Sequence, residues 1–477
     1  MSIALLTIAI IVLAATIFFL LKGKSPVMVL LFAGVILAVF SLIFDPSLQL
    51  LKEDATSGSR WFDIFGLIES VAIKQLSGVG IIIMAAGGFS AYMNGIGATD
   101  ALVRIAARPL SKLGHPYMLL IVAYLLGQAL FMVIPSAAGL ALLLLVSIFP
   151  ILVAAGVTPA AAGAVIVSCS ALPMGPGTGT AILAAKTVGE SPAVYFVHHQ
   201  LPVALPTMIV IALILYITSK HFDRRDAGNS ELLGSSSITG TSPATTATAS
   251  TTPQTGTATA STKDGAPAIY AIFVLLPIIL LIVFSPLTNS SIELSTVSAF
   301  FLVWILAIVV DLIRTRKVER TLTTAVTFFT GMGKMFGSVV SLIIAAQVFA
   351  EGLKSAGLID AIINIAKGAS LGETLMAIVL TIIVGAVTFL TGSGVGAFSA
   401  FASLAPEVAT GIGASAVKLV TPMQFAGGLF RSMSPVAGVT IAVAGGVGIS
   451  PVALARRSAP AMLGGILVMT ALSLIIG

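Results

Sequence analysis

Long apolar runs separated by short polar stretches dominate the hydrophobic pattern of this chain. The first run extends from Ile3 to Leu21 and the second from Val27 to Phe44, and similar runs recur toward the C-terminus. Each is long enough for a helix that crosses most or all of a bilayer core of about 30 Å. Composition agrees, since 57% of the 477 residues are hydrophobic, 9% are charged and the mean hydropathy is +1.12. The pattern predicts an all-α integral membrane protein.

Charge and cysteine content narrow the class further. The first apolar run lacks a basic leader and is followed by Lys22, Lys24 and a second run, so it is interpreted as an anchored span and not as a cleaved signal. The single Cys169 excludes an internal disulfide. The formal net charge of +6 comes from Lys and Arg in short loops, which indicates membrane orientation and not a nucleic-acid partner.

One segment departs from the apolar pattern. Residues 226–268 consist almost entirely of Ser, Thr, Ala, Gly and Pro. Such a composition buries no core, so we expect a disordered cytoplasmic linker between two membrane halves.

The two halves resemble each other in sequence. "PGTGTAILAAKTVGESP" begins at Pro176 and "PVAGVTIAVAGGVGISP" at Pro435, and they share eight identities in 17 positions. A second pair begins at Phe89 and Phe349 and keeps nearly the same separation. The chain is therefore predicted to contain an internal duplication, with repeats at 1–225 and 269–477.

Basic residues orient these repeats. Clusters that follow or precede spans are assigned to the cytoplasmic side by the positive-inside rule; they are Lys22 and Lys24, Arg104 to Lys112, Lys220 to Arg225, Arg314 to Arg320, and Arg456 with Arg457. The first repeat then begins outside and ends inside, and the second does the reverse. Inverted repeats are typical of secondary transporters that bind substrate between the halves.

Within each repeat we predict about five transmembrane helices with a re-entrant hairpin and a broken helix. The assigned segments are scaffold helices at 1–95 and 269–352, connectors at 97–112 and 357–368, hairpins at 117–153 and 375–409, broken helices at 159–190 and 415–448, and closing helices at 193–219 and 452–476. The alternative for each hairpin is two tilted full spans. Trp61 to Leu76 has amphipathic helical spacing, and we interpret it as an external interfacial helix.

Four Pro- or Gly-rich interruptions fall inside apolar helices. They are the hairpin tips at 134–139 and 391–396 and the breaks at 168–180 and 430–438. Irregular backbone at membrane depth survives only where protein, water or ligand satisfies it, and the N-terminal ends of half-helices attract anions. The candidate binding residues here are Ser136, Ala137, Gly139, Ser170, Thr178, Thr180, Thr391, Gly392, Ser393, Ser432 and Ser434. Helix kinking without a ligand is the alternative for any one break.

Arg431 completes the candidate site. It lies about 15 residues into the span that begins near Ser415, too deep for easy snorkelling, and charge at such depth is a functional hypothesis by default. A guanidinium binds a carboxylate through two parallel hydrogen bonds. The alternatives are capping of nearby backbone carbonyls and an ion pair with Glu407.

Three stretches carry a family resemblance: "GGFSAYMNGIGATDALV", "PSAAGLALLLLVSIFPILVAAGV" and "TPMQFAGGLFRSMSPVAGVTIAVAGGVGISP". With the order of elements, they resemble the anaerobic four-carbon dicarboxylate carriers of the DcuC family. The resemblance implies a bacterial inner-membrane carrier of succinate, fumarate or malate, working as a homodimer in lipid by an elevator movement, through exchange or Na⁺ or H⁺ coupling. The tips near Ser136 and Ser393 are candidate sodium sites. A carrier of another organic anion and a cation/proton antiporter are the alternatives, whereas no HExxH or Ser/His/Asp grouping supports an enzyme.

Overall fold

The computed structural model describes residues 3–22, 24–51, 55–108, 110, 115–233, 266–284, 292, 294–358, 361 and 372–476. Within these ranges the chain is helical and contains no β-strand. A helix satisfies its own backbone hydrogen bonds, which a chain in hydrocarbon requires.

The first half begins with long helices, continues with shorter ones around a break, and ends with a long closing helix. Local signals set several starts: Thr158 and Ser191 each cap a helix whose first residue is proline. The helices, in chain order, are Ile3–Leu21, Pro26–Phe44, Asp63–Gln75, Ile81–Gly95, Ala98–Ala107, Pro116–Val133, Ala137–Ser147, Phe149–Ala154, Pro159–Ser168, Gly179–Val188, Pro192–Tyr195 and Leu201–Leu233.

The second half follows a similar order. Its helices are Ala271–Val283, Thr296–Thr315, Val318–Met335, Ser341–Ser355, Glu373–Thr391, Gly394–Ala402, Ala405–Ile412, Ala416–Ser432, Gly438–Val447 and Pro451–Ile476. The short pair Gly394–Ala402 and Ala405–Ile412 bends by 45°.

The described part of the chain contains eight helices long and apolar enough to cross a membrane, or nine if the bent pair counts as one span. Large apolar side chains cover the outside of these helices: Ile209 is 58% exposed and Leu467 is 73% exposed. Such a surface is suited to lipid contact, so the fold is that of a multi-pass membrane protein.

Backbone irregularities recur at a nearly constant shift along the chain. The π-helical turn Leu76–Gly80 reappears as Phe336–Val340, a shift of 336 − 76 = 260 residues. Left-handed glycines also pair, with φ +82° at Gly189 and +81° at Gly448, a shift of 448 − 189 = 259. Hydropathy does not determine where such turns occur. Their recurrence therefore shows that the two halves share an order of structural elements as well as a similar composition.

The closing helices of the two halves pack against each other and run antiparallel. In the closing pair, the Nη1 atom of Arg457 lies 2.8 Å from the Oδ1 atom of Asp223, while a Cβ at Gly464 would overlap Ile214. Residue numbers therefore rise on one helix as they fall on the other. Four buried core clusters fill the spaces between the helices, and the two largest hold most of the buried apolar residues.

The interpretation of Trp61 to Leu76 as a separate interfacial helix is wrong. The helix Asp63–Gln75 continues through a π-helical turn into Ile81–Gly95, and together they form a candidate span of 33 residues. Its buried side chains Leu67 and Val71 pack with Val348. The amphipathic spacing reflects this contact with a neighbouring helix and not a membrane surface.

The closing helix of the first half is longer than expected. It ends at Leu233, so the first eight residues of the segment 226–268 are helical. Residues 234–265 lie outside the described residues, as does most of the second connector at 357–368.

Candidate functional site

The four irregular segments meet at one cavity of about 40 Å³, here called the central cavity. Both hairpins and both broken helices contribute to its walls. Its lining includes Pro135, Thr178, Thr180, Gly394, Gln424 and Arg431. A space of this size has room for about three water molecules.

Each hairpin tip touches the break of its own half. A Cβ added to Gly175 would lie 3.4 Å from the backbone oxygen of Met132, and one added to Gly392 would lie 2.7 Å from the Cα atom of Ala437. Both glycines have positive φ, +100° and +73°, which other residues rarely adopt. The tips and the breaks therefore lie at one depth.

Two further glycines allow close backbone contact across the centre. A Cβ at Gly394 would overlap the backbone oxygen of Gly427, and a Cβ at Gly428 would overlap that of Ala171. The second hairpin and the first break are thus both held against the helix Ala416–Ser432.

Gln128 satisfies the backbone of the first break from the first hairpin. Its Nε2 atom donates to the oxygen of Leu172 at 2.6 Å, and its Oε1 atom accepts from the N–H of Leu172 at 3.2 Å. Gln128 is fully buried. The side chain replaces the helical hydrogen bonds that the break has removed.

A buried network of side chains continues this arrangement. Gln424 donates to the oxygen of Pro173 at 2.6 Å and accepts from Gln200 at 3.0 Å, while Gln200 accepts from the N–H of Gly175 at 3.0 Å. Tyr195 donates to Gln424 at 3.2 Å. The first break is therefore fixed by amides from three different helical segments, one of them in the second half of the chain.

Arg431 lies at the wall of the central cavity with much of its donor capacity unused. One guanidinium N–H donates to the backbone oxygen of Ser170 at 2.5 Å, and the guanidinium carbon lies 5.9 Å from the centre of the Phe131 ring. Its buried Nε atom has no hydrogen-bond partner among the described residues. The contact with Ser170 matches the carbonyl-capping alternative, but a guanidinium carries five donors and this contact occupies one.

Glu407 does not pair with Arg431, so that alternative is wrong. The Oε1 atom of Glu407 lies 2.7 Å from the Nζ atom of Lys354 instead. Glu407 belongs to the helix Ala405–Ile412, beyond the bend of the second hairpin. That bend carries it away from the central cavity.

The two hairpin tips have matching caps. The Ser136 hydroxyl accepts from the N–H of Gly139 at 3.2 Å, and the Ser393 hydroxyl accepts from the N–H of Gly396 at 3.1 Å. Thr391 donates to the oxygen of Val387 at 2.7 Å. These hydroxyls begin or end the hairpin helices.

Among the residues that the structure describes, the side chains that bond to the backbone of the second break are hydroxyl groups. Ser434 donates to the oxygen of Phe389 at 2.6 Å, and Ser458 donates to the oxygen of Ser432 at 2.8 Å. The Ser432 hydroxyl is buried without a partner among the described residues.

The structure brings some predicted residues into the central cavity and leaves others at its margin. Thr178, Thr180 and Arg431 line it directly. At the hairpin tips, Pro135 and Gly394 line the cavity, and each is next to a predicted serine. The remaining candidates do not line it: Ser136, Ala137, Gly139, Ser170, Thr391, Gly392, Ser393, Ser432 and Ser434.

Sequence reasoning missed the three glutamines. Gln128, Gln200 and Gln424 are each fully buried. Their signal was present, since an amide inside an apolar span must find a partner just as a charge must. Attention to charged residues alone selected Arg431 and left these out.

Comparison with known proteins decides the family. Residues 5–477 match the family described as "C4-dicarboxylate anaerobic carrier", DcuC. The chain belongs to the DcuC family. It is 30% identical over 472 residues to the "Anaerobic C4-dicarboxylate transporter DcuC" of Escherichia coli strain K12, covering 99% of this chain and 96% of that protein. This DcuC-family chain is therefore a membrane transporter and not an enzyme, and the bacterial relatives place it in the inner membrane.

Two solved transporters share the fold of this DcuC-family chain. The YdaH transporter of Alcanivorax borkumensis aligns with a TM-score of 0.59 at 14% identity, covering 94% of this chain and 98% of that one. MtrF of Neisseria gonorrhoeae aligns with a TM-score of 0.55 at 15% identity, covering 95% of each. At these identities the likeness concerns the fold alone.

Proposed function

We propose that this DcuC-family chain carries four-carbon dicarboxylates such as succinate, fumarate and malate, with Arg431 binding one carboxylate. The observation that carries the proposal is the buried, unpaired Nε of Arg431 at a cavity whose described lining contains no carboxylate. A buried charged donor without a partner is costly, and an anionic substrate would relieve that cost.

The second carboxylate has a suitable place elsewhere in the same cavity. Thr178 and Thr180 lie at the start of the helix Gly179–Val188, whose first backbone N–H groups have no helical acceptor. The N-terminal end of a helix attracts anions. Because a cavity of about 40 Å³ holds about three waters, a dicarboxylate requires the hairpin tips to move apart.

The repeats are proposed to be inverted. Support comes from the antiparallel packing of the two closing helices, marked by the 2.8 Å pair Asp223 and Arg457, and from the π-helical turns 260 residues apart, at residues 76 and 336. The tips lie at the depth of the breaks, which favours re-entrant hairpins. Inverted repeats with a central site are a common basis of alternating access.

An elevator movement is the mechanism that we propose. The described residues lining the central cavity all belong to the hairpins and the broken helices, so the site can travel as one body. Scaffold side chains lie against it: a Cβ at Gly179 would lie 3.7 Å from Val339. Paired cysteines in a Gly179→Cys/Val339→Cys variant are expected to cross-link and stop transport until reduced. Cross-linked protein that still transports would contradict the elevator proposal.

Coupling to sodium or protons is a further part of the proposal. The hydroxyl oxygens of Ser136 and Ser393, each next to backbone carbonyls, are hard ligands of the kind that Na⁺ accepts. Exchange without ion coupling is the alternative. The experiment below separates them, because exchange needs internal dicarboxylate whereas coupling needs an ion gradient.

The deciding experiment is uptake of labelled succinate into vesicles that contain the purified chain. The vesicles are loaded with unlabelled dicarboxylate or with buffer, and each set is tested with and without sodium and proton gradients. Saturable uptake that succinate, fumarate and malate inhibit supports the proposal. Uptake no faster than in empty vesicles under every gradient would rule it out.

A cation/proton antiporter is less well supported. That function requires a titratable carboxylate at the centre, but Asp311 accepts hydrogen bonds from Tyr270 and Thr321, and Asp223 pairs with Arg457. Cation-driven proton release in the same vesicles, without succinate, would favour it. If the substrate is a different organic anion, succinate should fail to inhibit the uptake of that anion.

A further inference from the structure

A second and larger cavity lies next to the central one. Its volume is about 210 Å³, and the two cavities share no lining residue. Both scaffold and hairpin elements form its walls, and the polar groups that line it include Lys74, Gln75, Lys186, Gln347, Ser399 and Ser403. We call it the lysine cavity.

Two lysines share one wall of the lysine cavity. Gly78 is four residues after Lys74 along the same helical segment, and a Cβ at Gly78 would lie 3.8 Å from the Cε atom of Lys186. Residues four apart share a face of a helix, so Lys74 stands on the same face as Gly78, and both lysines line the cavity. No carboxylate among the described residues lies within 4.0 Å of either ammonium. The described lining contains no acidic residue, and the carboxylate of Glu351 lies behind Gln347, from which it accepts at 3.1 Å. Two ammonium groups against this one carboxylate leave the cavity with a net positive charge.

Two exposed lysines alone do not define a binding site, but the opposite wall adds an independent observation. Ser399 is 3% exposed, and neither its hydroxyl nor that of Ser403 has a hydrogen-bond partner among the described residues. Elsewhere helical hydroxyls bond to the carbonyl four residues earlier, as Thr187 does to Leu183 at 2.8 Å. A buried hydroxyl without a partner is destabilising, and an oxygen-rich ligand can supply the missing hydrogen bond.

Two helices connect the lysine cavity to the central one. Gly394 and Ser399 stand on one helix, and Thr180 and Lys186 on another, with the first residue of each pair at the central cavity. At 1.5 Å per residue, the separation along either helix is about 8 Å. The positive-inside assignment puts Lys186 on the periplasmic side of the break.

We propose that the lysine cavity is a periplasmic vestibule that binds a dicarboxylate before it reaches Arg431. Lys74 and Lys186 attract the two carboxylates, and Ser399 and Ser403 donate hydrogen bonds to their oxygens. The inference rests on the proposed function, since a carrier of another substrate would have no use for a dianion site here. Ammonium groups with solvent access bind anions weakly and in a salt-dependent way, so the vestibule raises the rate of capture and not the final affinity.

Initial uptake rates of external succinate test the proposal in right-side-out vesicles. The variants are Lys74→Gln, Lys186→Gln and the double variant, with Lys24→Gln as a charge-matched control on the opposite predicted side. Each vestibule substitution is expected to raise the succinate KM by about two- to fivefold, the range for one exposed ion pair, and to leave the maximal rate unchanged. The double variant is expected to lose most of the dependence of KM on ionic strength. Lys24→Gln is expected to match the parent.

Two further measurements test the vestibule: the response to a monocarboxylate and the effect of replacing Ser399. The same variants should change the KM of a monocarboxylate competitor by less than twofold, because only a dianion engages both lysines. Ser399→Ala is expected to keep or increase thermal stability, since it removes an unpaired hydroxyl, while weakening succinate uptake.

Two results would overturn the vestibule: an unchanged KM and salt dependence in the double variant, or an equal change for mono- and dicarboxylates, which would indicate a general surface potential. Either result leaves the proposed function intact as long as the parent transports succinate. Absence of succinate transport by the parent would instead reject the proposed function itself.

Discussion

Gln424 donates a hydrogen bond of 2.6 Å to the backbone oxygen of Pro173, so a side chain of the second half completes the backbone of the first break. The same amide accepts from Gln200 at 3.0 Å and Tyr195 at 3.2 Å. The central cavity therefore depends on contacts between the halves and not on either half alone. This explains how a loop rich in proline and glycine keeps one shape inside an apolar protein.

Replacing Gln424 is expected to destabilise this centre. In Gln424→Ala the oxygen of Pro173 loses its donor and the Nε2 atom of Gln200 loses its acceptor, whereas Tyr195 keeps its contact with Thr421 at 3.0 Å. Each buried unpaired group costs about 1–3 kcal/mol. Thermal unfolding of the purified protein should show a lower midpoint. Gln49→Ala, at an exposed position, is the matched control and should leave the midpoint unchanged. Equal midpoints for both variants would show that water replaces the amide without loss.

Arg431 is predicted to be required as arginine and not merely as a cation. In Arg431→Lys the ammonium can still donate to Ser170, but it lacks the planar fork that holds a carboxylate. The expected loss of succinate binding is about 1.5–3 kcal/mol, or roughly ten- to a hundredfold in affinity. Equilibrium binding to the purified variant measures it, with unfolding midpoints to verify the fold.

Arg431→Ala extends the same test. It removes both the carboxylate contact and the bond to Ser170, so affinity and stability should fall together. If both variants bind succinate as tightly as the parent, Arg431 is structural and the carboxylate site moves to the hairpin tips. A monocarboxylate of similar size should bind the parent poorly, because one anionic pole of the site is then unmatched.

Close backbone packing at the cavity makes Gly394 intolerant of a side chain. A Cβ there would overlap the backbone oxygen of Gly427, and neither backbone can move without separating the helices. Overpacking of this kind costs about 1–3 kcal/mol. Gly394→Ala should therefore lower the unfolding midpoint and reduce transport. Gly445→Ala, where nothing lies within 4 Å of the added Cβ, should gain up to about 1 kcal/mol from better helix propensity.

The pattern of apolar runs and breaks was sufficient to locate most elements of the fold. The breaks, the tips and Arg431 are visible in the sequence because proline, glycine and charge are exceptional in apolar helices. The helix at Asp63–Gln75 was misassigned because amphipathic spacing has the same period whether the apolar face meets lipid headgroups or another helix. Only the packing of Leu67 and Val71 with Val348 distinguishes the two.

The composition of the site was harder to predict than its location. Hydroxyls at the tips looked like ligands, yet Ser136 and Ser393 cap their own helices. The glutamines that fix the first break lie 25 to 251 residues away from the backbone groups they satisfy. Such pairs depend on tertiary packing, which one sequence without its three-dimensional arrangement does not contain.

The linker is predicted to be a cytoplasmic tether. Deleting most of residues 234–265 should leave transport largely intact, because a Ser- and Thr-rich tether of about ten residues still reaches about 17 Å. Accessibility to protease checks the side: the linker should be cut in inverted vesicles and protected in intact cells. A linker that is cut only from outside the cell would overturn the inverted-repeat assignment. A deletion variant that inserts normally but does not transport would show that the linker has a function.

Asp223 and Arg457 are predicted to hold the two closing helices together at the cytoplasmic side. Their side chains are only 8% and 11% exposed, and Asp223 also accepts from Thr158 at 2.9 Å. Removing one member of a buried ion pair leaves the other uncompensated, so Arg457→Met should cost about 3 kcal/mol. The double variant with Asp223→Asn should recover part of that loss, since no charge is then stranded, and unfolding midpoints of the four proteins give the coupling energy. The pair Lys354 and Glu407, with side chains 57% and 37% exposed, is the control and should show a coupling below about 1 kcal/mol. Equal coupling in both pairs would mean that the Asp223 pair is as well solvated as a surface pair. Apolar contacts, such as that of Ile214 with Gly464, would then be what holds the closing helices together.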